Sequence, residues 1–88
     1  MAYRIAFTPK AADEFRDLPR TAQRRVLRWL DLVAEDPHRP GTKQLVGRPE
    51  LRRVHASKDY VIVYAVDGNR LLILVVRVAH RKDVYRRL

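Results

Sequence analysis

The chain has 88 residues, a formal net charge of +9 and no cysteine. That length fits one small domain spanning 1–88. The missing cysteines exclude disulfide scaffolds, thiolate zinc sites and cysteine nucleophiles, and they fit a reducing, cytoplasmic compartment. Hydrophobic residues make up 47% of the chain, enough for a globular core. The apolar runs at 61–66 and 71–76 fall far short of the about 20 residues a membrane-spanning helix needs. The opening Met-Ala-Tyr-Arg-Ile-Ala-Phe is too short an apolar run for a signal peptide.

Taken in chain order, Tyr3, Ile5 and Phe7 alternate with Arg4 and Ala6, which predicts a half-buried strand. Thr8-Pro9 predicts a helix start, with Thr as N-cap and Pro as first helical residue. Ala11, Ala12, Phe15 and Leu18 form its apolar stripe, and Pro19 ends it. A second helix, capped by Thr21, carries Ala22, Val26, Trp29, Leu30 and Val33 and stops before Pro37. Residues 37–50 are punctuated by Pro and Gly and read as a loop, anchored by Leu45 and Val46. From Leu51 the period is two: Val54 and Ala56 share one face, Arg53, His55 and Ser57 the other. Ser57-Lys58-Asp59 reads as a turn. Tyr60–Val66 is nearly all apolar and predicts an interior strand with both faces covered. Asp67-Gly68-Asn69 signals a hairpin with Gly or Asn at positive φ, and Leu71–Ala79 is a further strand interrupted by Arg77. The order β-α-α-β-β-β predicts an α+β domain. Its antiparallel sheet is a meander of the last three strands plus the N-terminal strand, with a helical hairpin on one face.

The charge is unevenly spread. Residues 1–38 hold 7 basic and 6 acidic side chains, residues 39–88 hold 12 and 4. Fifteen of the 19 basic residues are Arg, the side chain that contacts phosphate through two N–H groups at once. The excess points to a polyanionic partner, nucleic acid first. No Gly-rich phosphate loop exists. His38, His55 and His80 lack metal-ligand spacing, and the acidic residues lie mostly on the helices, so neither a metal site nor a cofactor is implied. What remains is a basic sheet face. Arg53 and His55 project from one strand, Arg77 and Arg81 share parity on the last strand and its extension, and Tyr85 follows four residues on. Arginines neutralise a phosphate that gains charge, a histidine takes a 2′-OH proton, and a tyrosine stacks on a splayed base. Plainer roles compete: a solvated His55, an Arg77 that merely covers the sheet, and a Tyr85 packed beside Val84. Arg20, Arg24 and Arg28 form an i, i+4 stripe that reads as a solvated helix face.

The ordered set of Tyr-Arg-Ile-Ala-Phe-Thr-Pro-Lys-Ala, Leu18-Pro19, Pro37 to Leu45, Asp59-Tyr60, Tyr64 and the closing His80-Arg81-Lys82-Asp83-Val84-Tyr85 resembles the RelE/ParE superfamily of bacterial toxins, on its RelE branch. The resemblance covers nearly the whole chain, and its closing segment is the most specific part. It implies the toxin of a type II toxin–antitoxin pair that enters the ribosome and cuts mRNA without metal, with a cognate antitoxin as partner in a hetero-oligomer. By that resemblance Arg81 acts at the scissile phosphate and leaving group, and Tyr85 positions the mRNA. Arg53 and His55 fill two basic positions of the second strand. Lys43 matches a loop lysine; with it, the basic side chains Arg52, Arg77 and Lys82 are expected to bind RNA. The match of Arg53 and His55 needs a one-residue gap in the Ser57–Asp59 turn; without it Arg52 and Val54 take those positions. The gap keeps Val54 and Ala56 toward the helices. One position departs from the family: Asp59-Tyr60-Val61 stands where Asp-Tyr-Arg is usual. Two other readings follow from that departure, a ParE-like inhibitor of DNA gyrase and a weakened family member that binds RNA or antitoxin.

Overall fold

The structure, a computed structural model, describes residues 2–86 and residue 88. Its elements are β1 (Arg4–Phe7), α1 (Pro9–Asp17), α2 (Arg20–Glu35), β2 (Thr42–Leu45), β3 (Arg48–His55), β4 (Tyr60–Asp67) and β5 (Leu72–His80). The five strands form one sheet in the order β1-β5-β4-β3-β2. The α+β hairpin-on-sheet architecture is therefore as the sequence predicts, with two differences in the sheet.

The first difference is direction. β1 pairs parallel with β5, Ile5 opposite Ile73 and Phe7 opposite Val75, so the sheet is mixed. Alternation in β1 names the inward side chains, and these are the same whichever way the strand runs. The second difference is an extra edge strand. Residues read as loop form β2 and the start of β3, joined at a tight turn where Gly47 takes φ 82°. Thr42–Leu45 is short and polar at three of its four positions, so it carries no alternation to read. Leu45 is partly buried, whereas Val46 is fully exposed and anchors nothing.

The helix starts follow local chemistry. Thr8 Oγ accepts the Ala11 N–H at 3.2 Å, and Pro9 stands in the first turn of α1. Thr21 is not a cap: α2 begins at Arg20 after Pro19, with no side-chain cap. The β4–β5 turn also differs. Gly68 and Asn69 keep negative φ, and Leu71 takes the left-handed conformation at φ 50°. Asp67 Oδ1 accepts the Arg70 N–H there, a side-chain turn that frees Gly68 from the special geometry.

Two cores flank the sheet. On the helix side Ala11, Val26, Leu30 and Val33 pack against Val54, Ala56, Ile62, Tyr64, Ile73, Val75 and Val78. On the other side Leu51, Val61, Val63 and Ala79 are capped by Val84 from the tail. β4 is thus covered on both faces. In the helix-side core Tyr64 is fully buried, and its hydroxyl donates to Pro37 O at 2.8 Å, tying the 36–41 loop to the sheet. Burial pushes the Tyr64 phenol pKa up, against the lowering pull of Thr42 and Arg52. Tyr64→Phe should cost about 1 kcal/mol, the usual net worth of a buried hydrogen bond, in a urea titration.

Candidate nucleic-acid interface

The face away from the helices follows from strand register. Lys43 lies opposite Arg53, Arg53 opposite Val63, and Val63 opposite Arg77. One row across β2, β3, β4 and β5 therefore carries three cations and one valine on the same face. The next row pairs His55 with Val61 and Val61 with Ala79. Val54 is buried toward α2, so Arg53 and His55 point to the opposite face.

Beyond β5 the chain turns back over this face. Arg81 N–H donates to Asp59 O at 2.7 Å, and the Asp83 and Val84 N–H groups both donate to His80 O. His80 Nδ1 in turn accepts the Lys82 N–H at 3.1 Å. Val84 goes inward and Tyr85, 46% exposed, goes outward. A groove of about 810 Å³ results between β2, β3 and the tail, lined by Lys43, Gln44, Leu45, Arg48, Arg53 and Tyr85 among others. Arg53 makes no ion pair among the described residues, so its charge is available to a ligand. Arg48 is held by Glu50 at 2.8 Å, and that hydrogen bond keeps the Glu50 carboxyl below its ordinary pKa.

The sequence-derived candidates thus separate. Lys43, Arg53 and Tyr85 share the groove. His55 is exposed one row along from Arg53, and Arg81 and Lys82 are exposed on the turn after β5, outside the groove walls. Arg52 faces the helix side, with Nη2 on Thr42 Oγ at 2.9 Å, and it belongs to the loop anchorage around Tyr64. Arg77 is only 8% exposed and is no free phosphate ligand. Its Nε and Nη2 donate to Glu14 at 2.8–3.1 Å, and its Nη1 donates to Val84 O and Arg86 O. The centre of the face is apolar rather than cationic, because Val61 and Val63 lie under Val84.

Sequence reasoning missed Arg48 and Glu14. Arg48 sat in the supposed loop and gave no signal. Glu14 did give one: it stands three residues after Ala11 and four before Leu18, a carboxylate inside the apolar stripe of α1. A second basic groove, of about 620 Å³, lies on the helix side, where Arg24, Arg25 and Arg28 of α2 surround Trp29. Among the described residues no group of three or more His, Asp or Glu side chains is placed to hold a metal ion. No helix there is long and apolar enough to cross a membrane.

The same fold is found in a chain of the intact Escherichia coli RelBE toxin–antitoxin complex. The chain superposes on it with a TM-score of 0.79 at 29% identity, over 89% of this chain and 95% of that one. Toxin RelG of Mycobacterium tuberculosis is 30% identical over 91 residues, 99% of this chain and all of the relative. Toxin RelE of the same organism is 32% identical over 90 residues, 96% of this chain and 87% of the relative. The family described as ParE toxin of the type II toxin–antitoxin system, parDE, matches residues 5–85. The chain belongs to this RelE/ParE family of type II toxins.

Proposed function

We propose that the chain is an endoribonuclease toxin that cuts mRNA on the ribosome and is held in check by a cognate antitoxin in a hetero-oligomer. The observation that carries this reading is the convergence of Lys43, Arg53 and the half-exposed Tyr85 on one groove. Two cations with an aromatic ring suit a single RNA strand: charge for the backbone, a ring face for an unstacked base. The antitoxin is supported by the RelBE relative, which is a toxin–antitoxin complex. The net charge of +9 suits an acidic inhibitory segment.

In the proposed reaction the 2′-oxygen attacks the neighbouring phosphorus, and the P–O5′ bond breaks. The products are a 2′,3′-cyclic phosphate and a 5′-hydroxyl. A base takes the 2′-OH proton, and the 5′-oxygen takes a proton from water as it leaves. His55 is the base in this scheme, Arg53 and Lys43 stabilise the charge gathering on the phosphate, and Arg81 acts at the leaving oxygen. No step needs a metal. Incubating the purified chain with ribosomes programmed with a defined message should produce new 5′ ends within codons; an intact message overturns the reading.

The burial of Val61 favours a second reading. A cation expected there is replaced by a core side chain, and Arg77 is sequestered by Glu14. A toxin acting by binding DNA gyrase would need neither cation. It would block supercoiling and leave the message intact.

A further inference from the structure

We propose that Glu14 and Arg77 are positioning residues that hold the C-terminal turn, and with it Tyr85, in its place on the RNA groove. The proposal rests on the reading of Tyr85 as a group that meets RNA. A single guanidinium joins three parts of the fold. Its Nε and Nη2 meet the Glu14 carboxylate of α1, while Nη1 donates to the carbonyls of Val84 and Arg86, the residues on either side of Tyr85. Glu14 is itself fixed, because Oε1 also accepts the Val78 N–H at 3.1 Å. That N–H is free because β1 stops pairing at Val75, so the carboxylate takes over where the parallel strand ends.

The turn has few other holds. Its own backbone bonds run to His80 O, Asp83 O and Asp59 O, and Val84 is its only fully buried side chain. A six-residue turn with that little packing frays readily unless a side chain clamps its carbonyls. Arg is suited to the task because its planar fork reaches a carboxylate on one edge and carbonyls on the other; Lys presents a single point of donation.

Two variants separate the clamp from the fold. Glu14→Leu with Arg77→Met replaces the buried pair by apolar groups of similar reach. Arg77→Lys keeps a cation for Glu14 and removes the fork. In both, amide hydrogen exchange at Val84 and Arg86 should quicken about tenfold or more, with the Val63 and Val75 amides unchanged. On programmed ribosomes the cleavage rate constant should fall about 10²-fold, with KM nearly constant, as expected when the ring that aligns the strand for attack loses its placement. Tail amides that exchange as slowly as in the parent chain would overturn the proposal, and so would a loosened tail that leaves the rate constant untouched. If the parent chain itself cuts no message, the ribonuclease reading falls, and the exchange result alone decides whether the pair holds the turn.

Discussion

Arg77→Ala should lower the unfolding free energy by about 3–5 kcal/mol, the usual cost of removing one partner from a buried ion pair. The side chains of Arg77 and Glu14 are 9% and 20% exposed, so the carboxylate left behind stays largely out of water. The Val84 and Arg86 carbonyls lose their donor at the same time. For a domain of this size that is a large share of a total stability of about 5–15 kcal/mol. Urea denaturation of the variant beside Arg16→Ala measures it. Arg16 pairs with Asp13 in the open, 68% exposed on both sides, and its loss should move the midpoint little. The apolar exchange Glu14→Leu with Arg77→Met should recover only part of the loss: it leaves no buried charge unpaired, but the Val78 N–H and the Val84 carbonyl still lack their partners.

Arg53→Ala should slow message cleavage about 10²–10³-fold, the scale for removing one donor from a developing oxyanion. Its effect on stability should be small, because Arg53 makes no ion pair among the described residues and lies on the groove wall rather than in either core. Arg52→Ala is the matched control one residue away. It should reverse the pattern, leaving cleavage intact and costing about 1 kcal/mol through its bond to Thr42. Single-turnover cleavage with both variants reads the two effects. Equal losses of rate from Arg52 and Arg53 would contradict the face assignment.

What the sequence disclosed of the fold divides by physical cause. Thr8-Pro9 announced α1 because capping and a preset φ act within four residues. The Val54 and Ala56 alternation announced the helix-facing side of β3 because burial on one face imposes a period of two. β2 left no trace, since a four-residue polar edge strand buries almost nothing that would pattern it. The parallel pairing of β1 was equally silent, because alternation carries no direction.

The site was legible in part for a related reason. Lys43 and Arg53 meet through strand register and Tyr85 joins them by way of the turn after β5, but each stands out by residue type on a basic chain. Arg77 and Arg53 looked alike as cations on strands of the same parity. Only the partner distinguishes them, and Glu14 is 63 residues away from Arg77. Val61 looked like a lost cation; it is the floor of a second core that Val84 closes. The cations are therefore sparser on this face than composition suggested: Lys43, Arg48 and Arg53 line the β2–β3 side, Arg81 and Lys82 stand on the turn after β5, and Arg77 is withdrawn to Glu14.

The most direct test of the central claim is expression from a tightly controlled promoter, with mRNA 5′ ends mapped by primer extension beside an Arg81→Ala control. New ends inside translated codons, lost in the control, are the predicted result. Growth arrest with every message intact would contradict it and turn attention to gyrase.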